Sequence, residues 1–212
     1  MDVSDLRRRS KDSRIERDDL DGDAILQFET WFGDACDTDM LDPNAMSLAT
    51  VDAESRPASR MVLLKYFDDR GFVFFTNYGS AKAEQIAGNP SVALLFHWPS
   101  LERQVAIRGT AEKIPTSESL RYFMTRPRGS QIGAWVSVQS SVIGSRALLE
   151  AKYDEMKRKF SRKEVPLPSF WGGYRVTPRE IEFWQSRRNR LHDRFLYTRH
   201  DGEGWDIRRL SP

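Results

Sequence analysis

Cysteine and histidine are scarce in this sequence. Its 212 residues include one cysteine, Cys36, and three histidines. A single cysteine excludes an internal disulfide and a cysteine-based metal site, and it fits a reducing compartment. His97, His192 and His200 are far apart and lack the close spacing of a helical zinc motif. The sequence therefore predicts no metal centre.

Long apolar runs are also absent. No stretch approaches the roughly 20 apolar residues that a membrane-spanning helix needs. The basic N-terminal residues are not followed by an apolar core, which argues against a secretory signal. Asp2, Asp5 and Asp12 argue against a transit peptide, because such peptides are poor in acidic residues. We therefore expect a cytoplasmic protein with no membrane partner.

Familiar catalytic and nucleotide-binding motifs are missing too. The sequence has no glycine-rich dinucleotide fingerprint after a strand, no P-loop, no nucleophile elbow and no paired-carboxylate signature. The formal net charge of +2 is too small to indicate a nucleic-acid partner by itself. With 39% hydrophobic and 30% charged residues, the composition is typical of a soluble globular protein. Any positive field must therefore be local.

Short strands make up most of the predicted structure. Strand-type runs lie at Ala45–Val51, 60–67, 72–77, 92–98 and 103–114, and again between residues 172 and 210. Helices are predicted at 23–36, at 81–87 with Ser80 as N-cap, from 115 until 126–129, and at 145–160. Because hairpin turns join most strands, we expect a mainly β, antiparallel barrel with peripheral helices (α+β). Residues 1–20 predict a mobile basic arm or active-site lid, and residues 21–212 a single domain.

The segment 184–197 combines arginines, one histidine and aromatic residues in a stretch that also has strand character. Alternation along a strand would place Arg190, His192 and Arg194 on one face, with Leu191 and Asp193 on the other. Three cationic or titratable groups on one face repel each other unless an anion or carboxylates lie among them. The segment is either an anion site containing a histidine or a solvated edge strand whose charges discourage pairing.

Two further segments have anion-binding character. Arg60 and Lys65 flank an apolar strand, and by alternation they point to opposite faces unless the strand bends or ends between them. The turn 76–82 joins a strand to a helix N-terminus, where free backbone N–H groups and the helix dipole suit a phosphate. Ser80 as a plain helix cap explains that turn equally well.

The segment 122–130 closes a helix with Tyr122, Arg126, Arg128 and Ser130. Guanidinium and hydroxyl donors of this kind suit a phosphate monoester. The alternative is that Tyr122 packs in the core and Arg126 caps the helix C-terminus. Several such segments in one chain indicate one site for a phosphorylated cofactor and another for a phosphorylated substrate. Flat apolar surface for aromatic rings would come from Trp135, Trp171 and Trp184.

Five motifs in order carry a resemblance to a known family. They are RMVLLK at 60–65, LERQ at 101–104, RPRGSQIGAW at 126–135, VPLPSFWGG at 165–173 and RLHDR at 190–194. From about residue 41 to residue 212 the chain closely resembles the pyridoxine (pyridoxamine) 5′-phosphate oxidase family. The resemblance implies an FMN-binding split β-barrel of Greek-key-like topology that forms a homodimer, with FMN in clefts at the dimer interface.

The resemblance also implies site residues. FMN is expected to contact Arg60, Met61, Val62, Leu63, Leu64, Lys65, Phe75, Thr76, Lys82, Gln104, Gln139, Ser140, Trp184 and Arg194. The substrate phosphate is expected to bind Lys65, Tyr122, Arg126 and Ser130. Arg190 and His192 are expected to lie against the pyridine ring as the catalytic residues, acting as orienting and electrostatic groups. Arg7 in the arm is expected to help cover the bound substrate.

The implied reaction is oxidation of pyridoxine 5′-phosphate and pyridoxamine 5′-phosphate to pyridoxal 5′-phosphate. A hydride passes from C4′ to flavin N5, and O2 reoxidises the flavin and yields H2O2. The protein supplies position and electrostatic field, which agrees with the lack of a nucleophile motif. Two alternatives remain at this stage: a related split-barrel flavoenzyme such as a phenazine-pathway oxidase, and a non-catalytic barrel that binds nucleic acid through its arm and residues 187–194.

Two positions depart from the family pattern. Where the family usually has an Arg-Lys pair at the start of the helix after the Thr-Asn turn, this chain has Ala81 and Lys82. In the arm, Ser10 stands where a tyrosine is common. The missing arginine normally binds the FMN phosphate, so we hypothesise that this chain binds FMN less tightly than its relatives unless another cation compensates.

The Ala81→Arg variant tests that hypothesis. One added charge-assisted hydrogen bond contributes about 1.5–3 kcal/mol, so we expect the FMN dissociation constant to fall about 10- to 100-fold. Fluorescence titration of the apoprotein with FMN measures this constant. An unchanged dissociation constant would show that the missing arginine does not limit FMN binding.

Overall fold

The computed structural model describes residues 13–136, 139–200 and 204–212. Its helices are α1 (Ala24–Cys36), α2 (Ala81–Gly88), α3 (Thr116–Thr125), α4 (Arg128–Val136) and α5 (Arg146–Lys159). Its strands are β1 (Ala45–Val51), β2 (Pro57–Leu63), β3 (Tyr66–Asp68), β4 (Gly71–Asn77), β5 (Ser91–Trp98), β6 (Arg103–Lys113), β7 (Trp171–Gln185), β8 (Asp193–Arg199) and β9 (Trp205–Arg209). Short 3-10 turns lie at Arg17–Asp19 and Arg188–Arg190. Within these residues no helix is both long and apolar enough to cross a membrane.

One antiparallel sheet contains all of these strands. Its main order is β2-β1-β5-β6-β7-β4-β3, and β8 and β9 extend from the second half of β7. β7 pairs with β6 along one edge, and on its other edge it pairs first with β4 and then with β8. The sheet curls into a half-barrel, so the predicted antiparallel architecture with peripheral helices is confirmed.

Helix α1 provides the centre of the main core. The side chain of Asp23 caps its N-terminus by accepting hydrogen bonds from the N–H groups of Ile25 and Leu26. Phe28 is fully buried, and its ring contacts aromatic rings from three strands, namely Phe67, Phe72, Phe96 and Trp98. The apolar spacing that predicts this helix therefore also selects the face that closes the barrel.

A second cluster packs α3, α4 and α5 against the start of β7. It contains the buried residues Phe123, Ile132, Phe160, Val165 and Trp171. Gly172 follows Trp171, and a Cβ there would lie 2.1 Å from the hydroxyl oxygen of Tyr78. Only glycine permits this approach, which holds the turn after β4 close to the cluster.

The predicted strand at 60–67 is divided in two by the structure. β2 ends at Leu63, and β3 begins at Tyr66. Between them, the Leu64 N–H donates to the Asn44 carbonyl, and the Lys65 N–H donates to the Val73 carbonyl. The chain thus leaves β1 and joins β4. The strand therefore ends between Arg60 and Lys65, as their joint use in one site requires.

The prediction of one continuous strand over 184–197 is wrong. β7 ends at Gln185 and β8 begins at Asp193, and Asn189 and Arg190 have positive φ values of 57° and 62°. Arg190 and His192 therefore lie in a connection, and alternation does not determine where they point. Leu191 is 67% exposed, whereas Asp193 is buried.

The structure also bears on one missed helix, on the N-terminal arm and on the C-terminal hairpin. Helix α4 is missed, because the sequence interpretation ended the preceding helix at 126–129. Residues 13–20 of the predicted arm contact the barrel: Ile15 and Leu20 are buried, and the Ile15 N–H donates to Asp193 Oδ2 at 3.2 Å. Arg7, Ser10 and the hairpin turn predicted at 201–204, apart from Gly204, lie outside the described residues.

Replacement of Phe28 tests the role of α1. Phe28→Ala removes a fully buried ring, so we expect the free energy of unfolding to fall by about 3–5 kcal/mol. Leu26→Ala on the same helix is the matched control, since Leu26 is 50% exposed. Denaturant unfolding measures both variants, and equal losses would contradict a central role for Phe28.

Candidate active site

A cavity of about 580 Å³ opens between β2, β4, α2, α3 and α4. Its lining residues are Arg60, Met61, Val62, Leu63, Lys65, Phe75, Thr76, Asn77, Lys82, Tyr122, Arg126, Ser130, Gly133, Ala134, Gln139 and Trp171. Four of these side chains are cationic, and none of the described lining residues is Asp or Glu. Cations brought together without carboxylates favour an anionic ligand.

Lys82 lies in the first turn of α2 and is 9% exposed. Its Nζ donates to Thr76 Oγ1 and Gln139 Oε1, both at 3.1 Å, and to Ser80 Oγ at 3.4 Å. Burial lowers the pKa of Lys82, and the nearby Arg60 lowers it further. All three acceptors are neutral, so they solvate the ammonium without cancelling its charge.

Ser80 occupies the N-cap position of α2, as predicted, but its side chain makes no capping hydrogen bond. The Ser80 hydroxyl accepts from Lys82 instead. The Ala81 N–H donates to Ser140 Oγ at 3.3 Å. The interpretation of Ser80 as a plain cap is therefore wrong, because its hydroxyl contacts the Lys82 ammonium and makes no capping hydrogen bond.

Arg60 enters the cavity from β2. Its guanidinium donates to the Leu48 carbonyl at 3.2 Å, to Gln85 Oε1 at 3.0 Å, and to Thr50 Oγ1. Burial lowers the pKa of Arg60. No sequence signal points to Thr50 or Gln85, since their contact with Arg60 depends on the packing of β1 and α2 against β2.

Tyr122 and Arg126 lie at the end of α3 within a stack of aromatic rings. The Tyr122 ring lies 4.0 Å from that of Phe75, with an interplanar angle of 22°. The Arg126 guanidinium lies 4.7 Å above the Trp171 ring. Burial raises the pKa of Tyr122 and lowers the pKa of Arg126. Within the described residues, the buried Arg126 Nη1 has no hydrogen-bond partner.

The junction between α3 and α4 places Ser130 beside this pair. Gln131 Nε2 donates to the carbonyls of Phe123 at 3.2 Å and Arg126 at 3.0 Å, which satisfies the end of α3. Ser130 is exposed in the first turn of α4 and lines the cavity with Lys65. The Arg126 guanidinium lies against Trp171. Among the described residues it makes no hydrogen bond to a carbonyl of α3.

A second group of predicted residues lies at the other end of β7. In the sheet register Gln104 is opposite Trp184, and Trp184 is opposite Arg194, so the three share one face. The His192 ring lies 4.5 Å from the Trp184 ring, and His192 Nδ1 accepts a hydrogen bond from the Arg187 N–H at 3.1 Å. Arg194 donates to Glu182 at 2.7 Å, which raises the pKa of Arg194.

The structure thus divides the predicted site residues. Those that line the cavity are Arg60, Met61, Val62, Leu63, Lys65, Phe75, Thr76, Lys82, Tyr122, Arg126, Ser130 and Gln139. Those outside its lining are Gln104, Trp184, Arg190, His192 and Arg194. Leu64 is buried, and Ser140 contacts the N-terminus of α2. The sequence interpretation included Asn77 only within the turn 76–82, and it missed Gly133 and Ala134, which line the cavity without a charged group that could mark them.

Two family profiles match the chain. One is described as pyridoxamine 5′-phosphate oxidase and matches residues 32–160. The other is described as the pyridoxine 5′-phosphate oxidase C-terminal dimerisation region and matches residues 171–212. Relatives named pyridoxine/pyridoxamine 5′-phosphate oxidase include those of Rippkaea orientalis, 62% identical over 212 residues, and Aliarcobacter butzleri, 56% identical over 212 residues. Both alignments cover 100% of each chain.

Solved structures show the same fold. PhzG from Burkholderia lata, in complex with tetrahydrophenazine-1-carboxylic acid, matches with a TM-score of 0.88 at 28% identity, covering 96% of this chain and 99% of that one. A pyridoxamine 5′-phosphate oxidase-related, FMN binding protein from Nostoc punctiforme matches with a TM-score of 0.72 at 17% identity, covering 87% and 97%. The second likeness supports the fold alone. The expected split barrel is confirmed.

The surroundings of His192 predict its titration. Burial lowers its pKa first, and Arg190 and Arg194 lower it further, so we expect a midpoint below the ordinary value of about 6.5. The folded state then binds fewer protons at His192 than the unfolded chain does. This group therefore destabilises the fold as pH falls through about 6.5.

Two-dimensional NMR of the histidine side chains measures that midpoint, with His192→Gln assigning the signal. Arg190→Gln should raise the midpoint, because it removes one of the two cations. A wild-type midpoint at or above 6.5 would contradict the prediction.

Proposed function

The chain belongs to the pyridoxine/pyridoxamine 5′-phosphate oxidase family and is an oxidoreductase, and we propose that it oxidises pyridoxine 5′-phosphate and pyridoxamine 5′-phosphate to pyridoxal 5′-phosphate with FMN as cofactor. The chain is 62% identical over its full length to a relative named pyridoxine/pyridoxamine 5′-phosphate oxidase, which supports this oxidation reaction. Membership of this family, for which the resemblance implies an FMN site, supports the choice of a flavin.

The observation that carries the proposal is the arrangement of four cations in one cavity. Arg60 and Lys82 lie together at α2, whereas Arg126 lies at the α3–α4 junction and Lys65 lines the same cavity from the connection between β2 and β3. Two separate groups of cations suit two separate phosphates, one on the cofactor and one on the substrate. The absence of carboxylates from the described lining supports the binding of two anionic ligands in this cavity.

The first group fits the FMN phosphate. Arg60 and Lys82 supply charge, and the N-terminus of α2 adds a helix dipole and N–H donors. Thr76 and Ser140 supply hydroxyl groups at the same end of α2. Apolar side chains of β2, including Met61 and Leu63, line the adjoining wall and would hold the flavin ring.

The second group fits the substrate phosphate. Tyr122 keeps its proton near neutral pH because burial raises its pKa, so its hydroxyl can donate. Arg126 offers an unpartnered Nη1 within the described residues, and its stacking on Trp171 fixes the plane of its guanidinium. Lys65 and Ser130, which also line the cavity, add an ammonium and a hydroxyl.

A homodimer would complete the site. Along an extended strand Trp171 and Trp184 are separated by up to roughly 40 Å, so one copy does not readily bring both to one ligand. A row of paired residues, Met61, Ser47, Leu95, Ala106 and Glu182, crosses the outer sheet face from the cavity edge toward Trp184. We propose that two copies pack through this face, which would bring Gln104, Trp184, Arg190, His192 and Arg194 of one copy to the cavity of the other.

The apolar character of that face supports the packing. Met61 is 64% exposed, Leu63 39% and Leu95 38%, although all three lie on regular strands of the sheet. The profile described as a dimerisation region covers residues 171–212, which include Trp184 and Arg194. A two-fold contact is self-complementary, so it would complete two sites at once.

The residues of the chain would bind and orient, and the cofactor would supply the redox chemistry. FMN held by these residues would supply a hydride acceptor and reactivity toward O2, with H2O2 as the expected by-product. His192 accepts a hydrogen bond at Nδ1 and has a lowered pKa, so near neutral pH it carries its proton on Nε2. Arg190 and His192 would hold the pyridine ring with C4′ toward the flavin, and Arg7 would cover the substrate.

The phenazine-pathway alternative has one observation in its favour, the TM-score of 0.88 to PhzG. That protein is 28% identical, whereas the Rippkaea relative is 62% identical. The Tyr122, Arg126 and Ser130 set favours a phosphorylated substrate. The nucleic-acid alternative has little support, because Arg194 and Arg187 pair with Glu182 and Asp193 at 2.7 and 3.6 Å.

The visible spectrum of the purified protein tests the function. We expect a yellow protein that bleaches when pyridoxine 5′-phosphate or pyridoxamine 5′-phosphate is added without oxygen and releases H2O2 when oxygen returns. A tetrahydrophenazine carboxylate should not bleach it. A colourless protein that FMN does not turn yellow, or a yellow protein that neither vitamer bleaches, would refute the proposal.

His192→Ala serves as the control variant in that experiment. If His192 orients the pyridine ring, the variant stays yellow and bleaches more slowly than the wild type. Loss of the yellow colour would instead place His192 on the flavin side of the site.

A further inference from the structure

The guanidinium of Arg60 is held from behind by residues that do not line the cavity. Thr50 on β1 is 1% exposed, and its hydroxyl accepts from Arg60 Nη1 and donates to Gln85 Oε1 at 2.7 Å. Gln85 Oε1 also accepts from Arg60 Nη2 at 3.0 Å. The Leu48 carbonyl accepts from Nη1 at 3.2 Å. Three acceptors from β1 and α2 thus fix one end of the guanidinium.

These contacts leave a defined part of Arg60 for a ligand. A guanidinium has five N–H donors. The three hydrogen bonds engage both Nη1 hydrogens and one Nη2 hydrogen. Among the described contacts, the Nε hydrogen and the second Nη2 hydrogen remain. These two donors form one edge of the guanidinium, which matches two oxygens of a single phosphate.

The chemical type of the partners also matters. Thr50, Gln85 and the Leu48 carbonyl are all neutral, so they orient Arg60 without cancelling its charge. A carboxylate in the place of Gln85 would also orient the guanidinium, but it would compete with the phosphate as an anion. The full charge of Arg60 therefore stays available to the cavity.

Gln85 links the orientation of the Arg60 guanidinium to the position of Lys82. It lies three residues after Lys82, on the same helix whose N-terminus adjoins the cavity. One helix therefore sets the positions of Lys82, its own N-terminal N–H groups and, through Gln85, Arg60. Because Ala81 supplies no cation, the alignment of Arg60 and Lys82 carries more of the anion binding.

We propose that Thr50 and Gln85 are positioning residues that aim the Nε–Nη2 edge of Arg60 at the phosphate of FMN. The inference rests on the proposed FMN cofactor. Neither Thr50 nor Gln85 lines the cavity. Through Arg60, the two residues would nevertheless make the protein bind phosphorylated flavin more tightly than unphosphorylated flavin.

Flavin titration of the apoprotein tests the proposal through binding alone. Gln85→Met keeps the length of the side chain and removes the acceptor, and Thr50→Val keeps the shape and removes the hydroxyl. In both variants we expect the FMN dissociation constant to rise about tenfold. Riboflavin lacks the phosphate, so its dissociation constant should change by less than about twofold.

Three controls separate positioning from folding. Thr50→Ser restores a hydroxyl and should bind FMN as the wild type does. Thr110→Val makes the matched exchange at an exposed position of β6 and should leave both flavin affinities unchanged. Thermal unfolding of each apoprotein shows whether the variant folds, and an unfolded variant would lose riboflavin as well as FMN.

Each outcome has one meaning. If Gln85→Met and Thr50→Val unfold at the wild-type temperature and keep the wild-type preference for FMN over riboflavin, or weaken both flavins equally, the positioning role is wrong and the proposed function stands. If the wild type binds neither flavin, the proposed function fails and the positioning role fails with it. A selective loss of FMN affinity that Thr50→Ser does not show supports the proposal.

Discussion

The pairing of one long strand determines how the rest of the molecule is arranged. β7 forms hydrogen bonds with β6 along one edge and with β4 and then β8 along the other. Its first residue, Trp171, lies under Arg126 in the cavity, and Trp184 near its end lies against His192. Since a strand is extended, the residues at its two ends are far apart in one copy, and a site that needs both favours two copies.

A second constraint concerns the cations of the cavity, which are held in place by uncharged partners. Hydroxyl, amide and carbonyl oxygens surround Arg60 and Lys82, and an aromatic ring lies under Arg126. Such partners fix the position of a cation without neutralising it. Burial lowers the pKa of all three groups, which means that an anion would relieve the cost of placing them together. A ligand with phosphate groups meets this requirement.

Local patterns determine their own elements well in this chain. Helix α1 has the predicted apolar face, and α5 begins after Ser145, whose hydroxyl accepts from the Leu148 N–H. Motifs rich in arginine, tyrosine and serine likewise indicate anion binding before any contact is known. Alternation fails at 186–192, because it assumes an unbroken strand and Asn189 and Arg190 adopt positive φ values.

The sequence by itself determined the antiparallel fold class and the residue types that bind anions, because hydrophobic period, turn residues and donor groups are local properties. The family followed from the resemblance of five motifs. Only the tertiary structure decided which of these residues meet. It ended β2 between Arg60 and Lys65, so that both line one cavity, and it placed Trp184 and His192 outside that cavity. It also brought Thr50 and Gln85 to Arg60 across 10 and 25 residues of sequence. Such contacts depend on strand register and helix packing, which no local pattern encodes.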